Sequence, residues 1–310
     1  MPPELETFDV AVSDGRWDGA PWILPDGTLP SADAGGRVLL VLGKGGVGRT
    51  VVTAVIARAA AADGLRVLVI GLDGRPTLTE LCRGSDVTVR MVSAGSALED
   101  YLLDQGFGGF ARRLAESGII EVVGAAAPGI HDLVVLGKVK QFANEGRWDL
   151  IVVDAPAAGH ATSMLTSVDG LLDIVDGGPI REQALAVRAV LRDPARAAAV
   201  LVTLPETTPV NESLELAAVT RDVVGVSVAA GVISSVEPVL DLPDPSVTDG
   251  LLGALIERGR ATGAVTRDAI DRFNTDVDAP VARLPRLPVA GVDADDAELL
   301  AALLRSGGLR

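Results

Sequence analysis

The 310 residues contain only one cysteine, Cys82, and two histidines. A disulfide framework within the chain is therefore excluded. So few ligands of suitable chemistry also argue against a CxxC clip or a structural zinc site. Positive charge is in deficit, with 27 Lys and Arg against 42 Asp and Glu and a net charge of −15. That balance argues against a nucleic-acid or anionic-membrane partner held through bulk electrostatics. No uninterrupted apolar run approaches the ~20 residues of a membrane span. The stretch from Met1 to Asp14 is acidic and lacks the charged and apolar regions of a secretory leader. A cytoplasmic chain with no stable membrane anchor is expected. Aromatics are scarce at 3%, yet 48% of residues are hydrophobic, chiefly Ala, Val and Leu. That supply can bury one large α/β core, or a core plus a small subdomain.

Residues 1–36 are rich in Pro, Gly and Asp and carry Trp17 and Trp22. They read as an N-terminal extension with a short strand candidate at Asp9–Ser13, and its tryptophans could dock on the core or on a partner. From Arg37 the pattern alternates. Continuous apolar runs at Val38–Leu42, Val67–Leu72, Leu150–Asp154, Val200–Thr203 and Val226–Ile233 suit strands covered on both faces of a parallel sheet. Helical patterns lie at Thr50–Asp63, Ile180–Arg192 and Pro209–Val223, so right-handed βαβ units follow. Residues 95–146 break the rhythm, with helical spacing at Leu98, Leu102 and Leu103 and again at Phe110 and Leu114. Helices are also expected near Val247–Gly259, Ala264–Asp278 and Asp293–Arg305. The expected architecture is α/β: a doubly wound, mainly parallel sheet over residues 37–310, with a small helical insertion at about 95–146.

One segment carries most of the chemistry. Gly43, Lys44, Gly45, Gly46, Val47, Gly48, Arg49 and Thr50 stand between the first apolar run and an alanine-rich helix, followed by Val51. Strand, glycine loop and helix form the context of a phosphate-binding loop, whose backbone N–H groups turn inward onto phosphate oxygens. Thr50 stands where a hydroxyl would ligate Mg²⁺. Two carboxylates end neighbouring strand candidates: Asp73 in Gly71-Leu72-Asp73-Gly74-Arg75-Pro76, and Asp154 in Val153-Asp154-Ala155-Pro156-Ala157-Ala158-Gly159-His160. The C-terminal ends of parallel strands line one crevice, so loop and carboxylates should converge there. Asp154 would hold Mg²⁺ through water, and Asp73 would orient or deprotonate an attacking water. Either aspartate alone reads as a cap or turn former; jointly with the loop they read as a site.

These stretches resemble the ArsA/GET-type ATPases, within the wider group of MinD/ParA proteins and the nitrogenase iron protein. Lys44 just after the first glycine marks the deviant form of the loop. Asp154 to His160 is similar to the family's switch II, and its Gly-His ending points to the ArsA/GET branch. The segment from Asp73 resembles switch I. Leu201-Val202-Thr203-Leu204-Pro205-Glu206 with Glu212, and Leu284-Pro285-Arg286-Leu287-Pro288, add support. The resemblance implies ATP and Mg²⁺ as cofactors. It also implies a dimer whose two subunits face each other across ATP, with Lys44 reaching the partner's phosphates. Ser234 and Pro285 would lie on the adenine side of the site.

The chain departs from that pattern at four places. Arg49 replaces the loop lysine, and arginine is longer and planar where lysine is a compact point charge. Val51 replaces a hydroxyl donor, Gly74-Arg75-Pro76 remodels switch I, and Ser234-Ser235 replaces an asparagine. The metalloid-binding cysteines of arsenite pumps and the CxxC clip of targeting factors are absent. Two readings follow: a slow Mg-ATP-dependent dimeric switch, or a non-hydrolysing subunit paired with an active ArsA-like paralogue, in either case with an unknown client. A MinD/ParA-like positioning ATPase fits less well, because the C-terminal Leu299–Leu304 helix has one Arg beside Asp295, Asp296 and Glu298, whereas a membrane-binding helix needs basic residues.

Overall fold

The computed structural model describes residues 17–72, 74–104, 129–237 and 250–309, with backbone alone at 94 and 101–104. Asp73, the strand candidate Asp9–Ser13, and the helical spacing at Phe110 and Leu114 lie outside the described residues. Seven strands form one sheet in the order β3-β2-β4-β1-β5-β6-β7, and every pairing is parallel. In chain order the elements are β1 (Arg37–Gly43), α1 (Arg49–Ala62), β2 (Val67–Gly71), α2 (Thr77–Leu81), β3 (Val87–Met91), α3 (Ala94–Asp104) and α4 (Ile130–Asn144). They continue with β4 (Leu150–Asp154), α5 (Ala158–Ile174), α6 (Gly178–Leu191), β5 (Ala197–Thr203) and α7 (Thr207–Ala218). The last are β6 (Val228–Val236), α8 (Leu251–Asp276), β7 (Val281–Pro285) and α9 (Ala294–Arg305).

The alternation of side chains along a strand sorts the core into two layers. Val38, Leu40 and Leu42 of β1 join residues of α4, α5, α6, α7 and α8 on one face. Leu39 and Val41 join α1, α2 and α9 on the other. Both layers are dry, which is why β1, β2, β4 and β5 are buried along their whole length. Each fully buried Leu, Val or Ile contributes about 1.5–3 kcal/mol relative to exposure.

The sequence pattern missed β3 and β7. Both are edge strands. β3 is half exposed, so Val87-Thr88-Val89-Arg90-Met91 alternates rather than forming a continuous apolar run. β7 contains Arg283 and ends at Pro285, composition that a sheet tolerates only at its edge. It is capped by a bridge between Arg283 and Gly308. The tail from 251 to 276 is one helix, α8, where two were expected, because Gly263 is accommodated inside it. α5 was not anticipated, its apolar stripe being diluted by Gly159, Thr162, Ser163, Thr166, Ser167 and Gly170. Helix α4, within the expected insertion, places Leu133, Leu136, Val139 and Phe142 in the main core.

Trp17, Ala20, Trp22, Ile23 and Leu29 pack on the α1/α9 layer. Trp22 is completely buried, and its indole N–H donates to Asp63 Oδ2 at 3.0 Å. Asp63 also accepts from Arg305 Nη2 at 2.8 Å. At the end of the sheet remote from the glycine loop, Asp149 takes a bidentate pair of bonds from Arg66, at 2.9 and 2.8 Å, and the backbone N–H of Ala32 at 2.9 Å. The Arg66 side chain holds the Asp149 carboxyl down at about 2, against the opposing effect of burial.

Candidate nucleotide site

The site grows from the end of β1. Gly43 lies so near β5 that a Cβ there would sit 2.5 Å from the Val202 carbonyl oxygen, so only glycine lets the chain leave the sheet at this point. Val47 turns its side chain into the core, 2% exposed. Gly48 has φ +85° and caps α1 without a side chain. The first-turn N–H groups of α1, at Arg49, Thr50 and Val51, have no acceptor inside their own helix, and the helix dipole adds partial positive charge at the same place. A Cβ at Gly45 or Gly46 would meet nothing within 4 Å, so the cradle is open.

Register then delivers the carboxylate. β4 pairs with β1 so that Asp154 lies opposite Val41. Thr50 Oγ1 donates to Asp154 Oδ2 at 2.8 Å, and Asp154 is 5% exposed. A hydroxyl and a carboxylate side by side at the mouth of an open amide cradle fit a magnesium-bound phosphate: Thr50 as ligand, Asp154 through water. The other expected positions fall as follows. The Arg49 guanidinium donates from Nη1 to the carbonyl oxygen of Ala155 in the switch II-like segment. Lys44 Nζ lies 2.7 Å from Glu212 Oε1 of α7, with the two side chains 44% and 37% exposed. Ser234 is buried, and its hydroxyl donates to the Val47 carbonyl at 2.6 Å. Pro285 closes β7 opposite Val236. Asp73 lies outside the described residues, and Arg75 is exposed.

A cleft of about 420 Å³ opens beside the loop, lined by Lys44, Gly45, Gly159, Thr162, Glu212 and Glu215 among others. Glu212 was named only as support for the resemblance, and Glu215 was not singled out by the sequence. For Glu215 the i, i+3 spacing from Glu212 was the available signal, and such spacing is common on solvated helices. His160 is exposed at the start of α5. Burial pushes the Asp132 carboxyl of α4 up, opposed by the charges of His131 and His160. Cys82 is buried, which raises its thiol to about 11 and leaves it chemically quiet. Among the described residues no cluster of His, Cys, Asp and Glu could hold a metal, and no helix is long and apolar enough to cross a membrane.

A parallel α/β sheet with a glycine loop between β1 and α1, and an aspartate at the end of the adjacent strand, defines a P-loop nucleotide-binding domain. The match of residues 38–305 to its family model shows that the chain belongs to the CobQ/CobB/MinD/ParA nucleotide binding domain family. The chain is similar to ATPase BagA of Mycobacterium tuberculosis, 31% identical over 209 residues, which cover 60% of this chain and 61% of that protein. It is also similar to ATPase GET3B of Arabidopsis thaliana, 25% identical over 57% of this chain and 58% of the relative. A third match is ATPase ARSA1 of Chlamydomonas reinhardtii, 25% identical over 58% of this chain and 33% of the relative. The chain thus spans less than two thirds of these proteins. Their names bear out the resemblance to ArsA/GET-type ATPases.

Proposed function

We propose that the chain is a Mg-ATP-dependent dimeric switch in which hydrolysis is slow. The observation that carries this reading is the Thr50–Asp154 hydrogen bond of 2.8 Å, which sets a metal-binding hydroxyl and carboxylate together at the mouth of the glycine loop. The N–H groups of residues 45–51 would hold the phosphates, Thr50 and Asp154 would hold the magnesium, and Lys44 stands at the protein surface, where a second copy could meet it. Bound Mg-ATP supplies a γ-phosphate whose presence or loss selects between closed and open dimers.

A second reading keeps the binding and drops the chemistry: a non-hydrolysing subunit that pairs with an active ArsA-like paralogue. The bond from Arg49 to the Ala155 carbonyl supports it. It commits the residue in the lysine position to the switch II-like backbone, whereas a lysine there would act as a point charge on the phosphates.

One titration separates the readings. Mg²⁺ with a non-hydrolysable ATP analogue is added to the chain alone and to its mixture with an ArsA-like paralogue, and heat is recorded. Phosphate release from Mg-ATP is then measured in parallel. Saturation by the chain alone with slow phosphate release is the expected result. Saturation without release supports the second reading, as does binding by the mixture only. An absence of heat in both samples at millimolar analogue would sink both.

A further inference from the structure

Ser234 stands at an irregularity. Along β6 and β7, Ile233 pairs with Arg283 but Val236 pairs with Pro285, so β6 carries one extra residue between those pairs. Ser235, within that bulge, has φ +56°, a left-handed conformation that costs a non-glycine residue about 1 kcal/mol or more. Bulges of this kind re-aim a side chain next to a functional site. Here the re-aimed group is the Ser234 hydroxyl, 7% exposed as a residue. It lies 2.6 Å from the Val47 carbonyl oxygen and 3.3 Å from the Thr203 carbonyl oxygen. The hydroxyl has one proton, and the shorter contact takes it. Ser234 Oγ is also the atom nearest to where a Cβ on Gly48 would lie, at 3.5 Å.

The consequence follows from peptide geometry. The Val47 carbonyl and the Gly48 N–H belong to one planar trans peptide and point in opposite directions. A bond that holds the carbonyl against β6 therefore aims the Gly48 N–H away from β6. We infer that Ser234 is a positioning residue: the β6 bulge braces the glycine loop and orients its Gly48 N–H for phosphate, so Ser234 acts on every nucleotide alike rather than on the base. The inference rests on the nucleotide-binding reading of the same loop.

Another cavity among the described residues, about 350 Å³ between α3, α4 and α6, is lined by groups several of which already pair with one another. Lys138 pairs with Asp100 at 2.7 Å and Lys140 with Gln183 at 2.9 Å.

The test uses the full chain, Ser234→Ala and the hydroxyl-retaining Ser234→Thr. Calorimetry with Mg-ATP, Mg-GTP and Mg-tripolyphosphate should show all three ligands weakened by the same factor in Ser234→Ala. That factor is about tenfold, the order expected from one lost hydrogen bond. Ser234→Thr should recover most of it. A loss confined to ATP, or no loss, overturns the brace. Amide hydrogen exchange across residues 46–50 without ligand gives an independent readout. It should quicken in Ser234→Ala and stay near wild type in Ser234→Thr; unchanged exchange in Ser234→Ala overturns the brace. Wild-type protein that binds no ligand sinks the nucleotide reading alone, since the exchange measurement still decides whether Ser234 orders the loop.

Discussion

Arg49 and Lys44 are the two side chains whose partners most constrain chemistry. Arg49 reaches the Ala155 carbonyl, so Arg49→Lys, with a shorter chain and a compact charge, should release that backbone group and raise turnover. An unchanged rate would shift the deficit to Val51 or to the Gly74-Arg75-Pro76 segment. Lys44 is held by Glu212 of the same chain at 2.7 Å. A cross-subunit contact would have to break that pair first. The pair is exposed and worth roughly 0–1 kcal/mol, so Glu212→Gln should lower the protein concentration needed for nucleotide-dependent dimerisation by a few-fold at most. Sedimentation velocity with and without Mg-ATP analogue measures it, and a weaker dimer in Glu212→Gln would show that Glu212 works at the interface instead. Thr50, Asp154 and the loop glycines were legible from residue type and order. The commitments of Arg49, Lys44 and Ser234 were not, because their partners lie 106, 168 and 187 positions away in the chain.

Among the elements, the central strands announced themselves and the edges did not. A strand covered on both faces must be apolar throughout, as Leu39–Leu42 and Leu150–Val153 are. β3 and β7 need only one apolar face, which single-chain patterning does not separate from a loop. The N-terminal stretch illustrates a different limit: Trp22 was visible, but the Asp63 carboxylate that receives its N–H belongs to the end of α1. Trp22→Ala should cost about 3–5 kcal/mol, as large aromatic deletions from cores do, read as a drop in urea midpoint. The Asp149 anchor carries a pH signature. Its carboxyl lies below the ordinary 3.8, at about 2, so the ionised form is favoured by folding. Its contribution is complete above pH 4 and fades as pH falls toward 2. Because Arg66 is half exposed, the contribution is about 1–2 kcal/mol after allowance for solvent screening. Asp149→Asn should therefore be destabilised by that amount at pH 7, and the gap to wild type should close in acid. A gap independent of pH would assign the effect to packing.

For the chain as a unit, ligand binding and stability are one measurement. If the loop binds Mg-ATP in the native state only, a hundredfold excess over Kd adds about 2.7 kcal/mol to unfolding, and the melting temperature should rise by several degrees. Thr50→Ala, which removes the hydroxyl beside Asp154, should lose most of that rise in magnesium while keeping its ligand-free melting temperature within a degree or two. An equal rise in Thr50→Ala would remove the metal-binding role from this hydroxyl.

The order of residues alone gave the class of fold and pointed to the place of the candidate site. Buried parallel strands demand apolar runs, and a phosphate cradle demands glycines between a strand and a helix. Both demands are local and leave a local trace. The tertiary structure settled how the site is wired: the β6 bulge that presents Ser234 to the loop, the register that sets Asp154 beside Thr50, and the salt bridge that holds Lys44 to α7. Those depend on strand pairing and on helices packed from distant parts of the chain. Hydrogen bonds and ion pairs act over a few ångströms in space whatever the separation in sequence, so no window of sequence contains them.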